Sequence, residues 1–302
     1  MTTALFAGDV SLDLTLVADH VPAPDEKVHV NEAVEAPGGV VANAAVACAR
    51  AGGRARLLLQ VGSDAAARIV TDGLAAAGVD VEASPAEGRT CRVVVIVEPH
   101  GEKRLLLDPG VSMYPGDGAV EAVSLHGVGW LHTAAYGTAA KRLVARCRAA
   151  GIAWSLDLEP ASFAAGIDTL LPLLDGAEAL FLNDRADTAL GGDGAARLLA
   201  LGVRSVIRTR GRDGAELVTA GTVVSVPAPA IGRPVDTTGA GDCLAGWYVG
   251  ERLAGSPPPQ ALAAAVTAAT LSCLGLGAQS SYPTRPQVAA IRDKAAAGRS
   301  QT

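Results

Sequence analysis

Aromatic side chains make up only 3% of the 302 residues, too few for the stacking platforms that single-strand nucleic-acid binders use. Positive charge is also scarce. Against 31 Asp and Glu stand 25 Lys and Arg, a net charge of −6 with no basic run, so neither nucleic acid nor an anionic membrane is expected as a partner. Five cysteines (Cys48, Cys91, Cys147, Cys243, Cys273) are scattered, odd in number and without CxxC spacing. That pattern points to reduced thiols in a cytoplasm rather than a disulfide frame or a zinc site. No apolar run is long enough to cross a bilayer, and the short one before Asp9 and Asp13 does not read as a signal peptide. The first strand is not followed by GxGxxG, which argues against a dinucleotide-dependent oxidoreductase. No GxxxxGK[ST] occurs either, which removes P-loop enzymes.

What is present is a large apolar fraction, 49%, enough for a substantial core in one large α/β domain or two smaller ones. Ala4 to Ala7 reads as a buried strand. Leu12, Leu14 and Leu16 alternate with Asp13, Thr15 and Val17, a period-two pattern, and Val28, Val30 and Ala33 suggest a partner strand. Val93 to Val97 and Arg104 to Leu107 form a hairpin about the turn 99–103. These strands, within about 12–35 and 90–110, make a small second sheet whose apolar face must cover a substrate, another subunit or both. A helix is expected over Val40 to Ala51, a strand over Leu57 to Val61, and a helix capped by Ser63-Asp64 that runs to Ala77. Strands over Gly129 to Thr133, Ile152 to Leu156, Ala179 to Leu182 and Ser205 to Thr209 then alternate with helices over Ala139 to Ala149 and Ala195 to Leu201. That alternation marks a parallel sheet covered on both faces. A β-like run, Thr222 to Ala228, precedes the C-terminal helices, of which Gln260 to Leu274 is the longest and one from Thr284 to about Ala296 the last.

Ligands of such sheets bind beyond the carboxyl ends of the strands, where His132, Asp157, Glu159, Asn183 and Thr209 with Gly211 fall. The most informative stretch is Val235-Asp236-Thr237-Thr238-Gly239-Ala240-Gly241-Asp242, which opens into a helix-compatible run from Cys243. A small-residue turn at a helix start presents unpaired N–H groups and partial positive charge, a ready anion site. Gly239 and Gly241 let the main chain approach a phosphate closely. A carboxylate beside that site repels a phosphate that merely binds. It has a purpose if Asp242 takes the proton of an attacking hydroxyl while the amides hold a phosphoryl group in flight. A glycine-rich turn with an N-terminal Asp is the bland alternative. Earlier in the chain, Gly38-Gly39 precede the helix that carries Asn43, and two amides with a side-chain amide suit vicinal hydroxyls. An ordinary glycine turn, with Asn43 satisfied inside its helix, is the competing reading there.

Gly38, Gly39 and Asn43, and then Asp236 to Asp242, resemble the two signatures of the ribokinase-like (PfkB) family of carbohydrate kinases, in the right order and at the right separation. The resemblance runs from Gly8 to about Pro283. It implies one α/β domain over 1–302, a three-layer α/β/α unit with a mostly parallel central sheet and a small β-sheet lid that frequently forms a dimer surface. It implies transfer of the γ-phosphoryl group of ATP to a hydroxymethyl group of a sugar or similar polyol. Asp242 would be the catalytic base, expected to work at ordinary carboxylate acidity, with Gly239, Ala240 and Gly241 as anion hole. Gly38, Gly39, Asn43 and Asp13 would hold the acceptor, with Ser11 a weaker candidate. Thr209, Gly211 and Gly214 resemble the family's nucleotide-edge motif, and Asn183 the Asn of its NxxE motif, associated with phosphate and magnesium. The sequence departs there, because Ala186 stands where the family has Glu; Asp184 or Asp187 could supply a carboxylate through water, but neither has the usual register. Asp157 either touches magnesium through water or caps its loop. Asp236 and the Thr238 carbonyl, with the loop 275–281, are candidate ligands of a monovalent cation, potassium. Leu244 replaces a common Phe. The cofactors implied are ATP, Mg2+ and conditionally K+. A nucleoside or vitamin-precursor kinase, with His132 and Tyr136 offering a ring something to stack on, and a catalytically weak sensor are the alternatives. The acceptor itself is set by residues outside both signatures.

Overall fold

A computed structural model describes residues 2–99, 103–111 and 114–299. Strands β1 (Thr3–Ala7), β2 (Ser11–Ala18) and β3 (Val30–Gly38) open the chain, followed by α1 (Val40–Arg50), β4 (Arg54–Val61), α2 (Ala65–Ala76) and β5 (Asp80–Pro85). Next come β6 (Arg92–Val97), β7 (Lys103–Asp108), α3 (Asp117–Ala122), β8 (Val128–Ala134), α4 (Gly137–Ala149) and β9 (Ala153–Leu158). The series continues with α5 (Leu171–Leu174), β10 (Ala179–Leu182), α6 (Asp184–Ala189), α7 (Gly194–Ala200), β11 (Val206–Thr209), β12 (Ala215–Thr219) and β13 (Thr222–Val226). Helices α8 (Ala240–Leu253), α9 (Pro258–Ser272) and α10 (Arg285–Arg299) close it.

Nine strands form the main sheet in the order β13-β12-β11-β10-β9-β8-β1-β4-β5. All pairings from β5 to β11 are parallel; only the β11–β12 and β12–β13 pairs are antiparallel. Both faces are covered, and the pleat distributes side chains between them. Phe6 of β1 and Leu57 and Leu59 of β4 join the core under α1, α8 and α9, whereas Leu5, Ala7 and Leu58 join the core under α4 and α7. The three-layer α/β/α arrangement is the expected one.

Two helices that begin at the carboxyl edge of the sheet, α1 and α8, touch almost backbone to backbone. A Cβ on Gly246 would overlap the Ala44 carbonyl and come within 2.7 Å of the Ala47 Cβ. Directly after Gly246, Trp247 and Tyr248 are 1% exposed and anchor α8 in the core.

The second sheet has four strands in the order β3-β2-β6-β7. It is mixed, since β2 pairs antiparallel with β3 but parallel with β6, and β6 pairs antiparallel with β7. Edge strand β7 leaves Leu105, Leu106 and Leu107 at 64%, 63% and 55% exposure, an apolar edge of the kind that usually has a partner. In the expected turn, His100 to Glu102 lie outside the described residues. Strand β3 begins at Val30, not at Val28, and continues through Pro37 to Gly38, which delivers the Gly-Gly pair directly to α1. Strands β5 and β12 are additions to the sequence reading.

Candidate active site

Helix α8 starts in a tight turn. Gly239 is left-handed at φ 71°, and a Cβ there would fall 2.6 Å from both Ala278 Cβ and the Tyr282 hydroxyl oxygen. The Tyr282 hydroxyl donates to the Gly239 carbonyl at 2.8 Å, and Cys243 N–H donates to the same oxygen at 2.8 Å as the first helical bond. First-turn amides such as that of Gly241 have no carbonyl within the helix to pair with. A Cβ on Gly241 would meet nothing within 4 Å, so open space lies over the turn.

Asp242 stands in that first turn, partly exposed. Its Oδ2 accepts from Asn43 Nδ2 at 2.8 Å, and Gln279 Nε2 in turn donates to Asn43 Oδ1 at 2.9 Å. Asn43 is therefore oriented from both sides, with its N–H toward the carboxylate. Crowding raises the Asp242 pKa to about 7: loss of solvation dominates, Asn43 opposes it, and Asp9, Glu159 and Asp13 add repulsion. This departs from the ordinary acidity expected from the sequence.

The start of α1 is held by Asp9, whose carboxylate accepts from Val40 N–H at 2.7 Å and Val41 N–H at 3.1 Å. Gly39, at φ 103°, has the Asp9 carbonyl 2.6 Å from where a Cβ would be. The neighbouring Gly38 faces Asp13, whose carboxylate would be overlapped by any side chain there. Ser11 Oγ donates to Asp13 Oδ1 at 2.5 Å. Burial raises the pKa of Asp9, Asp13 and Asp157, and the charges acting on Asp13, Asp157 and Asp242 among the described residues are other carboxylates. Glu159 completes this acidic group and accepts from the Tyr136 hydroxyl at 2.6 Å. The structure thus brings Ser11, Asp13, Gly38, Gly39, Asn43 and Asp242 into one group at the starts of α1 and α8.

Asp236 lies on the other side of the turn, 5% exposed. Its Oδ1 accepts from Lys103 Nζ at 2.6 Å, Thr238 N–H at 2.9 Å and Thr238 Oγ1 at 2.6 Å, and its Oδ2 from Gly277 N–H at 3.0 Å. Burial alone would raise this carboxyl, but those donors prevail and hold it down to about 2. Lys103 Nζ also donates to Thr238 Oγ1. These residues do not fit a potassium ion. The carboxylate is saturated by four donors, and a second unit charge about 4 Å from the ammonium would be repelled by about 4 kcal/mol at an effective dielectric constant of about 20.

Toward the far strands, Asn183 and Thr209 end the adjacent parallel strands β10 and β11. Asn183 Oδ1 caps α6 through the Ala186 N–H at 2.9 Å. Ala186 is fully buried in the apolar core. Asp187 accepts from Gly194 N–H at 2.9 Å and pairs with Arg208 at 3.4 Å, so it is committed to structure. Asp184 remains, its side chain 68% exposed and 3.9 Å from Arg210. No group of three metal-binding side chains occurs among the described residues. Magnesium carried on nucleotide phosphates needs only one or two carboxylates, and Asp184 is the carboxylate beside Asn183 that is not committed to the core or to a buried pair. Gly214, at φ 97°, is packed against Val226 to Ala228 and is a turn glycine, while Gly211, at φ 52°, faces open space.

His132 offers no stacking surface. It is 0% exposed, lies edge-on to Phe6 and Phe181 at 5.7 and 5.6 Å, bonds Ser155 Oγ at 2.8 Å, and burial lowers its pKa to about 3. Tyr136 is partly exposed, with its ring 5.2 Å from that of Tyr114. Sequence reasoning missed the site roles of Asp9, Lys103, Gln279 and Tyr282, each of which acts through a contact distant in sequence.

The sequence model described as pfkB family carbohydrate kinase matches residues 1–285. An ATP-dependent ribose-1-phosphate kinase of Halopiger xanaduensis is 29% identical, with 96% of this chain and 98% of that protein aligned. A fructokinase of Klebsiella pneumoniae is 31% identical over 83% of this chain and 90% of its own length. Among solved structures, a ribokinase from Thermotoga maritima superposes with a TM-score of 0.82 at 25% identity, covering 97% of this chain and all of that one. Family model, relatives and superposition agree: the chain belongs to the pfkB family of carbohydrate kinases and is a phosphotransferase with an alcohol group as acceptor.

Proposed function

We propose that the protein transfers the γ-phosphoryl group of ATP to a hydroxymethyl group of an unphosphorylated sugar or polyol. The observation that supports this reading is the Asn43–Asp242 contact beside the open turn at Gly241, a side-chain amide, a carboxylate and a helix-start turn side by side. Asp13, with Ser11, Gly38, Gly39 and Asn43, holds the acceptor hydroxyls. Asp242 takes the proton of the attacking hydroxyl. The new oxygen–phosphorus bond forms as the bond to the β–γ bridging oxygen breaks and ADP leaves. Amides of Gly239, Ala240 and Gly241 meet the developing charge, that of Ala240 after giving up a long 3.4 Å contact to the Thr237 carbonyl; losing one such donor typically costs about 3–4 kcal/mol. ATP lies along the edge made by Asn183, Thr209 and Gly211. Asp184 would hold magnesium through water, and the ion would supply neutralisation of phosphate charge.

The acidic group of Asp9, Asp13, Asp157, Glu159 and Asp242 supports a neutral acceptor, since an anionic one would be desolvated against like charge. A second reading, a nucleoside acceptor, is favoured by the partly exposed Tyr136 ring against Tyr114. The exposed Leu105, Leu106 and Leu107 edge supports a homodimer through the lid. Five unbonded cysteines suit a reducing cytoplasm. The test is ADP release with ribose, fructose, a ketodeoxy sugar acid, ribose 1-phosphate and adenosine. Turnover is expected with a neutral hydroxymethyl acceptor, and a blank across the panel from folded protein overturns the kinase assignment to this site.

A further inference from the structure

We infer that Lys103 supplies from the lid the positive charge that a bound monovalent cation would supply at the Asp236 loop, so the anion hole is organised without potassium. Lys103 is the first residue of β7 and is only 20% exposed at its side chain. Its ammonium sits 2.6 Å from Asp236 Oδ1 and also donates to the Thr238 hydroxyl. Thr238 directly precedes Gly239 and Asp236 stands three residues before it, so the ammonium touches the residue next to the left-handed turn that starts α8. The same carboxylate takes the Gly277 amide, and Ala278 and Tyr282 pack on Gly239. Lys103 therefore joins the lid, the 235–239 segment and the 275–282 loop through one carboxylate. It is a positioning residue: it reaches the phosphoryl group only through the amides that the loop aims.

This inference rests on the kinase reading for its rate effect but not for its binding effect, so the experiment has two arms. In the first, thermal unfolding of the full chain is followed in tetramethylammonium, sodium and potassium chloride at equal ionic strength. Wild type is expected to be indifferent to the cation. Lys103→Met, which vacates the carboxylate, is expected to gain a midpoint increase specific to potassium or ammonium through mass action. In the second arm, wild-type turnover is expected to change less than about twofold between the salts, whereas Lys103→Met loses roughly tenfold to a hundredfold in tetramethylammonium, a fraction of a lost anion-hole donor, and recovers with potassium. Lys103→Arg keeps the charge and should stay cation-independent. A potassium-specific stabilisation or activation of wild type overturns the inference, as does a Lys103→Met protein that responds to no cation. A protein with no kinase turnover but with the unfolding pattern described would sink the kinase reading alone.

Discussion

Asn43 and Asp242 stand 199 residues apart in sequence and share a 2.8 Å hydrogen bond from Nδ2 to Oδ2. That bond joins the two signatures directly, and in the proposed reaction one of its partners holds the acceptor while the other takes its proton.

Replacing Asp242 by Asn removes the base and keeps the shape. Turnover is expected to fall about a hundred- to ten-thousandfold, while acceptor binding by calorimetry persists. Retained turnover would show that the carboxylate does not act on the hydroxyl, and absence of turnover in wild type would favour a sensor.

The pH profile follows from the Asp242 pKa of about 7. The base must be ionised, so kcat/KM of the free enzyme should rise with pH and level off above about 7. Asn43 lowers that pKa; in Asn43→Ala the rising limb should move to higher pH, beyond whatever acceptor affinity is lost. An unmoved limb would assign the titration to another group.

The same shift has a stability consequence. Between the unfolded value near 3.8 and the folded value of about 7, the native state holds more protons than the unfolded state, so stability falls as pH rises. The penalty is absent below the unfolded value and complete above the folded one. Asp242→Asn is therefore expected to raise the unfolding midpoint at pH 8 and to change it little at pH 4. Equal shifts at both would show that proton binding is not the cause.

Gly38→Ala places a methyl group where the Asp13 carboxylate lies. Displacing a charge-assisted acceptor typically costs about 1.5–3 kcal/mol, so kcat/KM for the acceptor should drop roughly tenfold to a hundredfold with the KM for ATP unchanged. A change in the ATP KM instead would place Asp13 elsewhere.

Leu105, Leu106 and Leu107 are exposed along β7. Sedimentation should show a dimer for wild type and a monomer for Leu106→Glu, and a monomeric wild type would leave the lid edge without a partner.

The readability of the chain was uneven for physical reasons. Alternating apolar strands and helix starts are local patterns, so the parallel sheet and both signatures could be read directly. β5, Asp80-Val81-Glu82-Ala83-Ser84-Pro85, is an edge strand with little buried surface and no apolar run to announce it. Asp9 caps a helix 31 residues ahead, and Lys103 meets Asp236 across 133 residues; no spacing rule connects such pairs. Ala186 looked like a missing ligand in sequence, whereas its burial shows a position given over to the core. His132 sits at a strand end, but the pleat turns it inward.

The seam at Gly246, where one helix rests on the Ala44 carbonyl of the other, leaves no slack between the parts of the molecule that carry Asn43 and Asp242. An engineer can therefore redesign lid positions away from Asp13, Gly38 and Lys103, the last of which is tied to the Asp236 loop, whereas a single added methyl at the seam would displace the helices that carry Asn43 and Asp242 against each other.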